Sequence, residues 1–368
     1  MAEGRGVIEH IEIEGFKSLE KVSLDLGALN IFVGTNASGK TNFLEALRVL
    51  QGIGYGFTAD EIFNGKPKGA NTEVWEGIRG GSNYAESFSR PGGNIVFRVT
   101  ATVATGAAPV NYAVTFTFSP KDTRVYSERL NGQTINAVPF GNRPSLRSSA
   151  GDLAEHIANM QLFRPSPAVQ REYSALSFAT RMGEHGENFA ALVQSILGNE
   201  ATASAYVSWL RELTPAELDE VKILTGAMKD PLFAFRLRGT DYPAPMLSDG
   251  TLRFAAIAAA FFQPDPPKIL LLEEIEEGLH PTRLQLLVEL LKSQTGHGVE
   301  QVIATSHSPY AIAWLKEEDY KYVFLCTKNE ETGATSITPF SEVPDLVELA
   351  RTQSIADLFA EGWMENTL

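Results

Sequence analysis

The stretch Leu29-Asn30-Ile31-Phe32-Val33-Gly34-Thr35-Asn36-Ala37-Ser38-Gly39-Lys40-Thr41-Asn42 decides the fold. Its first five residues form a short apolar run that stops at Gly34. Beyond it, Phe43, Leu44, Leu47 and Leu50 recur at helical spacing. Between strand and helix, Gly34 to Thr41 satisfies G-x-x-x-x-G-K-[ST] at every fixed position. Glycines in such a turn let successive backbone N–H groups face phosphate oxygens, and the helix N-terminus adds partial positive charge. The candidate cradle is thus Gly34, Thr35, Asn36, Ala37, Ser38, Gly39, Lys40 and Thr41, with Asn42 beside it. Lys40 would reach the β- and γ-phosphates, and the Thr41 hydroxyl would ligate Mg²⁺.

Downstream, Ile269-Leu270-Leu271-Leu272 reads as a buried strand ending in two carboxylates, Glu273 and Glu274. Phosphoryl transfer to water needs one acid in the Mg²⁺ shell and another near the attacking water. Adjacent residues just past a strand end can divide those tasks because their side chains diverge. Glu273 is therefore assigned to the metal and Glu274 to the water, as general base or orienter. The competing reading is a plain acidic turn, which Glu276 and Glu277 would extend. A second apolar strand, Gln301 to Thr305, ends at Ser306-His307-Ser308-Pro309. A lone loop histidine is ordinarily structural, but after an acidic strand His307 becomes a candidate contact for the γ-phosphate. Ser248 and Gly250 precede the apolar helix Phe254 to Phe262. A glycine beside that helix N-terminus makes a second anion site. Capping would explain Ser248 alone and leave Gly250 and Arg253 without a role.

Around these motifs the chain changes character. Alternating apolar residues mark strands at Val7 to Ile13, at Val22, Leu24 and Leu26, and from Ile95 to Phe118, with a turn at Thr105 to Pro109. Residues 61–90, rich in Gly, Asn and Ser, read as surface loop. From about Ser145 to Lys229 the spacing is helical, including Leu210, Leu213 and Leu218. The expected domains are a β-rich lobe with the phosphate loop (1–140), a helical insertion (141–232) and an α/β lobe (233–368). That order suits an α/β fold interrupted by a helical segment.

Composition sets bounds. The chain has 368 residues, enough for roughly two to three structural units. A 43% apolar and 21% charged composition is ordinary for a globular protein, so extended disorder is not expected. The longest apolar run falls well short of a bilayer span, and no secretory signal is visible, so a cytoplasmic protein without a membrane role is expected. One cysteine, Cys326, excludes an internal disulfide framework and reads as a core strand residue. A net charge of −14 argues against a wholesale nucleic-acid coat. His10, His156, His185 and His297 lack the spacing of a zinc site. Arg143, Arg147, Arg164, Arg171 and Arg181 gather basic charge, either as a solvated face or as a contact for DNA or a partner.

Taken in order, the motifs resemble the ABC-type ATPases of the RecF, SMC and OLD branch, especially stand-alone AAA-family ATPases related to OLD proteins. Beyond the phosphate loop, the similar elements include Gly15-Phe16-Lys17-Ser18-Leu19, Asn42 to Leu47, and a signature motif at Leu247 to Arg253. Glu273 to Pro281 is similar to Walker B with its D-loop, and Thr305 to Pro309 to the switch-histidine segment. The resemblance implies a P-loop NTPase with an ABC-type two-lobed ATPase head and a helical insertion, binding ATP and Mg²⁺. It implies a homodimer of heads, or a higher oligomer, in which Ser248 and Gly250 touch the partner head's γ-phosphate and His280 lies in the seam. Glu273 stands where many such proteins have Asp, Ile275 where proline is usual, and Glu277 where asparagine is common. These departures are expected to tune the loop. The Q-loop glutamine is not securely placed, and Gln161, read at a helix end, is a candidate.

OLD nucleases follow their ATPase with a Toprim domain, and no Asp-x-Asp pair follows Pro309, so a self-contained nuclease is not expected. The insertion is also too short and irregular for SMC-type coiled-coil arms. Ser354 to Trp363 resembles the tails of OLD-like ATPases encoded beside a separate effector; Trp363 would either dock that partner or pack on its own domain. The expectation is a Mg²⁺-dependent ATPase controlling a separately encoded effector, a nuclease, in anti-phage defence or a toxin–antitoxin system. The alternative is a RecF-like DNA-binding ATPase in repair or recombination.

Overall fold

Alternating burial along the N-terminal strands produces one sheet and leaves the phosphate loop outside it. The computed structural model describes residues 8–66, 75–87, 92–102, 108–119, 122–135, 141–175, 178–214 and 218–363. The sheet is built from β1 (Ile8–Phe16), β2 (Leu19–Asp25), β4 (Ile95–Ala101), β5 (Val110–Ser119), β6 (Asp122–Leu130) and β7 (Gln133–Thr134). Its order is β2-β1-β4-β5-β6-β7, and every pairing is antiparallel. Ile95, Phe97 and Val99 on β4 face the same interior as Tyr112, Val114 and Phe116 on β5, as period-two side chains must.

The strand before the phosphate loop, β3 (Leu29–Val33), instead pairs in parallel with β14 (Val323–Lys328). β15 (Thr335–Pro339) runs antiparallel to β14. Phe32 of β3 stacks on Phe43 at 4.4 Å and on Phe324 at 4.6 Å. Strand, following helix and distant β14 therefore share one aromatic core. That helix, α1 (Lys40–Tyr55), is buried from Phe43 to Gly54. α4 (Gly151–Ala158) approaches so closely that a Cβ on Gly54 would lie 2.6 Å from the Ala154 carbonyl oxygen. α2 (Ala59–Asn64) opens on a capping box between Thr58 and Glu61 and sets Phe63 edge-on to Phe116 at 5.2 Å. The short helices α3 (Leu146–Ser149), α10 (Leu346–Leu349) and α11 (Ile355–Ala360) complete this unit.

By contacts the chain divides into two compact units, 1–160 with 315–368, and 161–314. This partition differs from the three-part division by sequence character. In the second unit, β8 (Met160–Phe163) neighbours β12 (Ile269–Leu272), which pairs in parallel with β13 (Gln301–Ser306). These strands are buried on both faces; β12 is a continuous apolar run, while β8 and β13 also bury polar Gln161, Gln301, Thr305 and Ser306. β9 (Leu218–Thr225), β10 (Pro231–Leu237) and β11 (Thr240–Pro243) form a separate antiparallel sheet. The helices are α5 (Pro167–Gln170), α6 (Phe189–Leu197), α7 (Glu200–Leu213), α8 (Asp249–Phe262) and α9 (Pro281–Gln294). α8 is buried from Gly250 to Phe261, and its Ala255 carbonyl accepts the buried Tyr206 hydroxyl at 3.1 Å.

Two expectations are corrected. The stretch 145–229 is not uniformly helical: β8 holds Gln161, and β9 begins at Leu218, where Leu218 and Val221 are buried and the strand pairs with β10. Cross-strand pairing overrode the local spacing there. Residues 61–90 are not surface loop throughout, because α2 falls within them and Trp75, Ile78 and Ala85 are buried. Part of the turn expected at Thr105 to Pro109, residues 105–107, lies outside the described residues.

Candidate functional site

The phosphate loop belongs to the first unit, and its glycines are dictated by close approach. A Cβ on Gly34 would meet the Cys326 carbonyl oxygen at 2.3 Å, and one on Gly39 would meet Thr335 Oγ1 at 2.0 Å. Gly39 also has φ +100°, a conformation that side chains resist. Ala37 adopts φ +64° between them. No side chain caps the N-terminus of α1, and no acidic residue occupies its first turn. An anion is thus favoured at that end by the backbone itself. Lys40 Nζ donates to the carbonyls of Gly34 and Thr35, both at 2.7 Å, within the loop it would help a phosphate to fill. Thr35, Asn36 and Ala37 are exposed, while Ser38 is buried.

A chain of hydroxyl and amide donors supports the loop from beneath. Asn42 Nδ2 donates to Ser18 Oγ at 2.7 Å, Ser18 and Thr335 hydroxyls lie 2.7 Å apart, and Thr335 Oγ1 donates to the Ser38 carbonyl at 3.0 Å. Beside it, Lys17, at φ +49°, pairs with the buried Glu45 of α1 and donates to the Arg79 carbonyl at 2.9 Å. Burial pushes the Cys326 thiol up to about 12, against the opposing pull of the Lys40 charge. Cys326 is therefore a neutral core residue.

In the second unit the two strand-end carboxylates have different surroundings. Glu273 Oε2 lies 3.4 Å from Arg164 NH1, and Arg164 also pairs with Glu184. The Glu274 carboxylate makes no hydrogen bond or ion pair among the described residues. Its backbone is at φ +50°, a strained value for a residue with a side chain. Two neighbours hold it there. Glu274 N–H donates to Thr305 Oγ1 at 3.0 Å, and Arg253 NH2 donates to the carbonyls of Glu274 at 2.8 Å and Glu273 at 3.1 Å. Arg253 is 3% exposed. Burial lowers its pKa, with Glu277, Glu276 and Glu274 opposing that shift.

Ser248 caps α8, accepting the Thr251 N–H at 3.2 Å. A Cβ on Gly250 would sit 2.5 Å from the Gly278 carbonyl, so the glycine lets the helix start lie against the acidic turn. His280 caps α9. His307 Nδ1 lies 2.7 Å from the buried Glu276 Oε1. Gln161 is buried in β8, donating to the Met182 carbonyl at 3.0 Å and accepting from Gln263 at 3.1 Å.

The structure thus gathers Glu273, Glu274, His307, Ser248 and Gly250 in one unit and the phosphate loop in the other. The residues present suit a nucleotide with Mg²⁺. The glycine cradle suits phosphate, and a hydroxyl and a carboxylate are the hard oxygen donors Mg²⁺ takes. Among the described residues no three His, Cys, Asp or Glu side chains cluster as a metal cage, and Mg²⁺ held partly by phosphate and water oxygens needs none.

Several known proteins are similar to this chain. Residues 173–313 match the family described as "AAA domain, putative AbiEii toxin, Type IV TA system", and residues 7–71 match an AAA ATPase domain. The SMC head bound to the C-winged helix domain of ScpA superposes with TM-score 0.56 at 17% identity, covering 90% of this chain and 96% of that one. The fold is that of an ABC-type P-loop ATPase head.

A second SMC head, from Thermotoga maritima, gives TM-score 0.50 at 15% identity over 90% of this chain and 98% of that one. The Smc head with an extended coiled coil, bound to a ScpA C-terminal domain derived from Pyrococcus furiosus, gives 0.55 at 13% identity, over 94% and 99%. A 44-residue segment is 43% identical to the DNA replication and repair protein RecF of Lactobacillus acidophilus, and spans 12% of each chain. Sequence reasoning missed several residues that support the candidate site. Thr335 acts through an acceptor far away in sequence, Arg253 was singled out but its carbonyl acceptors at Glu273 and Glu274 were not foreseen, and Glu276 looked like one more acid in an acidic turn. Of the five arginines set aside as a basic cluster, Arg147, Arg164, Arg171 and Arg181 each bond to an acceptor in their own unit. No described helix is long and apolar enough to cross a membrane.

Proposed function

We propose that this chain is a Mg²⁺-dependent ATPase that closes with a second copy around ATP and acts as a switch on a separately encoded effector. The observation that carries the reading is Glu274, whose carboxylate makes no hydrogen bond or ion pair among the described residues and which is held in a strained backbone immediately after a buried parallel strand. Strain maintained by two dedicated hydrogen bonds is characteristic of a working residue.

In this reading Gly34 to Asn42 bind the phosphates, and Lys40 leaves its loop carbonyls for the β- and γ-phosphates. Thr41 and Glu273 hold Mg²⁺, which when bound offsets the charge of the transferred phosphoryl group. Glu274 orients the attacking water and takes its proton, and His307 contacts the terminal phosphate. Ser248 and Gly250 serve the partner's nucleotide, with His280 in the seam. A ligand touched by both copies favours the closed pair, and hydrolysis removes that preference. The description of the family matched at 173–313 supports a toxin–antitoxin or defence setting with its own effector, such as a nuclease. The RecF segment supports the second reading, a DNA-binding ATPase of repair, against which stands the net charge of −14.

Nucleotide binding and steady-state turnover test the site together. Lys40→Ala is expected to lose ATP binding, whereas Glu274→Gln should bind ATP and turn over roughly 10²–10⁴ times more slowly. In Mg²⁺-ATP the Glu274→Gln protein should sediment as a dimer. Near-normal turnover in Glu274→Gln would move the water-activating role to another residue. A DNA-stimulated wild-type rate without a protein partner would favour the second reading.

A further inference from the structure

We infer that Glu276 is the positioning residue for His307, fixing the ring as its Nδ1–H tautomer and presenting Nε2 as the working nitrogen. The inference rests on the proposed role of His307 and deepens it. It starts from a buried carboxylate that the phosphoryl-transfer chemistry leaves unused. Glu276 is 8% exposed, whereas the next residue, Glu277, is exposed and pairs with Arg253 at 2.7 Å. Burying a carboxylate is costly unless it is paired, so its partners indicate why it is kept there.

Those partners are two atoms of one residue. Glu276 Oε1 accepts the main-chain N–H of His307 at 2.5 Å and lies 2.7 Å from its Nδ1. An ionised carboxylate only accepts hydrogen bonds, so the Nδ1 contact requires a proton on Nδ1. The second contact ties the backbone that carries the ring. Nε2 has no partner among the described residues, and the side chain is 42% exposed. The imidazole is therefore held at one nitrogen and open at the other, an arrangement by which an outer partner selects the working atom of a histidine.

The acidic turn and the end of β13 are also fastened to each other. Glu274 N–H bonds Thr305 Oγ1 at 3.0 Å, and Ile275 N–H bonds the Thr305 carbonyl at 3.0 Å. Glu274 and His307 are thereby kept in fixed register, with Glu276 as the third tie. The other Glu276 oxygen, Oε2, is buried with no hydrogen-bond partner among the described residues, and the Arg253 charge acts on the same carboxylate. One oxygen thus holds His307 while a buried cation offsets the charge.

The test is ¹⁵N NMR of histidine-labelled protein at about pH 8.5, above the ordinary imidazole range, with the His307 signal identified by its loss in His307→Gln. Wild type is expected to show the Nδ1–H tautomer, and Glu276→Gln a shift toward Nε2–H. Glu276→Gln should also lower kcat by roughly 10- to 100-fold with ATP affinity unchanged. His307→Gln, whose amide reaches the Nε2 position, should retain more turnover than His307→Asn. A wild-type His307 protonated on Nε2 alone overturns the inference, whatever the variants do. So does an unchanged tautomer in a folded Glu276→Gln protein. If His307→Ala turns over normally while the tautomer behaves as expected, the proposed role of His307 fails and the positioning by Glu276 stands.

Discussion

Thr335 shows how much one hydroxyl can hold. It donates to the Ser38 carbonyl, stands 2.7 Å from Ser18 Oγ, and fills the space a Cβ on Gly39 would need. Thr335→Val preserves the shape and removes the hydroxyl, leaving the buried Ser38 carbonyl without this donor. Such a loss costs about 1–3 kcal/mol. A lower urea midpoint and roughly tenfold weaker nucleotide binding are expected, read by chemical unfolding and by a fluorescent ATP analogue. Nothing in the local pattern hints at this role, because donor and acceptor are 297 positions apart. The phosphate loop was legible for the opposite reason: its amides must be consecutive to surround a phosphate, so the whole device is written in one contiguous stretch. Glu276 lies between these cases, visible as an acid but distinguished from Glu277 only by burial.

Among the elements, the helices α2 and α8 both begin on a hydroxyl cap and should respond differently to losing it. Thr58 and Glu61 form a capping box at the start of α2, and Ser248 caps α8. Thr58→Ala should lower stability by about 1 kcal/mol and leave turnover alone. Ser248→Ala should lower stability by about the same amount, yet reduce turnover and ATP-driven dimerisation well beyond that loss. Equal effects on turnover would reduce Ser248 to a cap. Periodicity revealed α1 through Phe43, Leu44, Leu47 and Leu50 at helical spacing, and the apolar runs of α8, β12 and the middle of β13 revealed those elements. It misread β9, where polar Asp219, Glu220 and Lys222 break the alternation and pairing with β10 supplies the stabilisation.

For the whole molecule, the order of the chain and the order of its contacts differ. The first unit is completed only by residues 315–368, which bring β14 beside β3 and Phe324 onto Phe32. A chain ending after Trp314 should therefore fail to fold that unit cooperatively and should lose nucleotide binding, as followed by circular dichroism melting and by equilibrium binding. Retained affinity would show that β3 needs no neighbour from the C-terminal segment. Compositional boundaries could not show this return, because it depends on a pairing between strands nearly 300 positions apart. The left-handed backbone at Glu274 has a consequence for directed evolution. A library of this chain sorted on heat resistance alone should enrich glycine or asparagine at position 274, since either fits that backbone more comfortably than glutamate. The hardiest clones recovered would then be the ones that had stopped turning over ATP, so a sort for robust variants needs a second gate on activity.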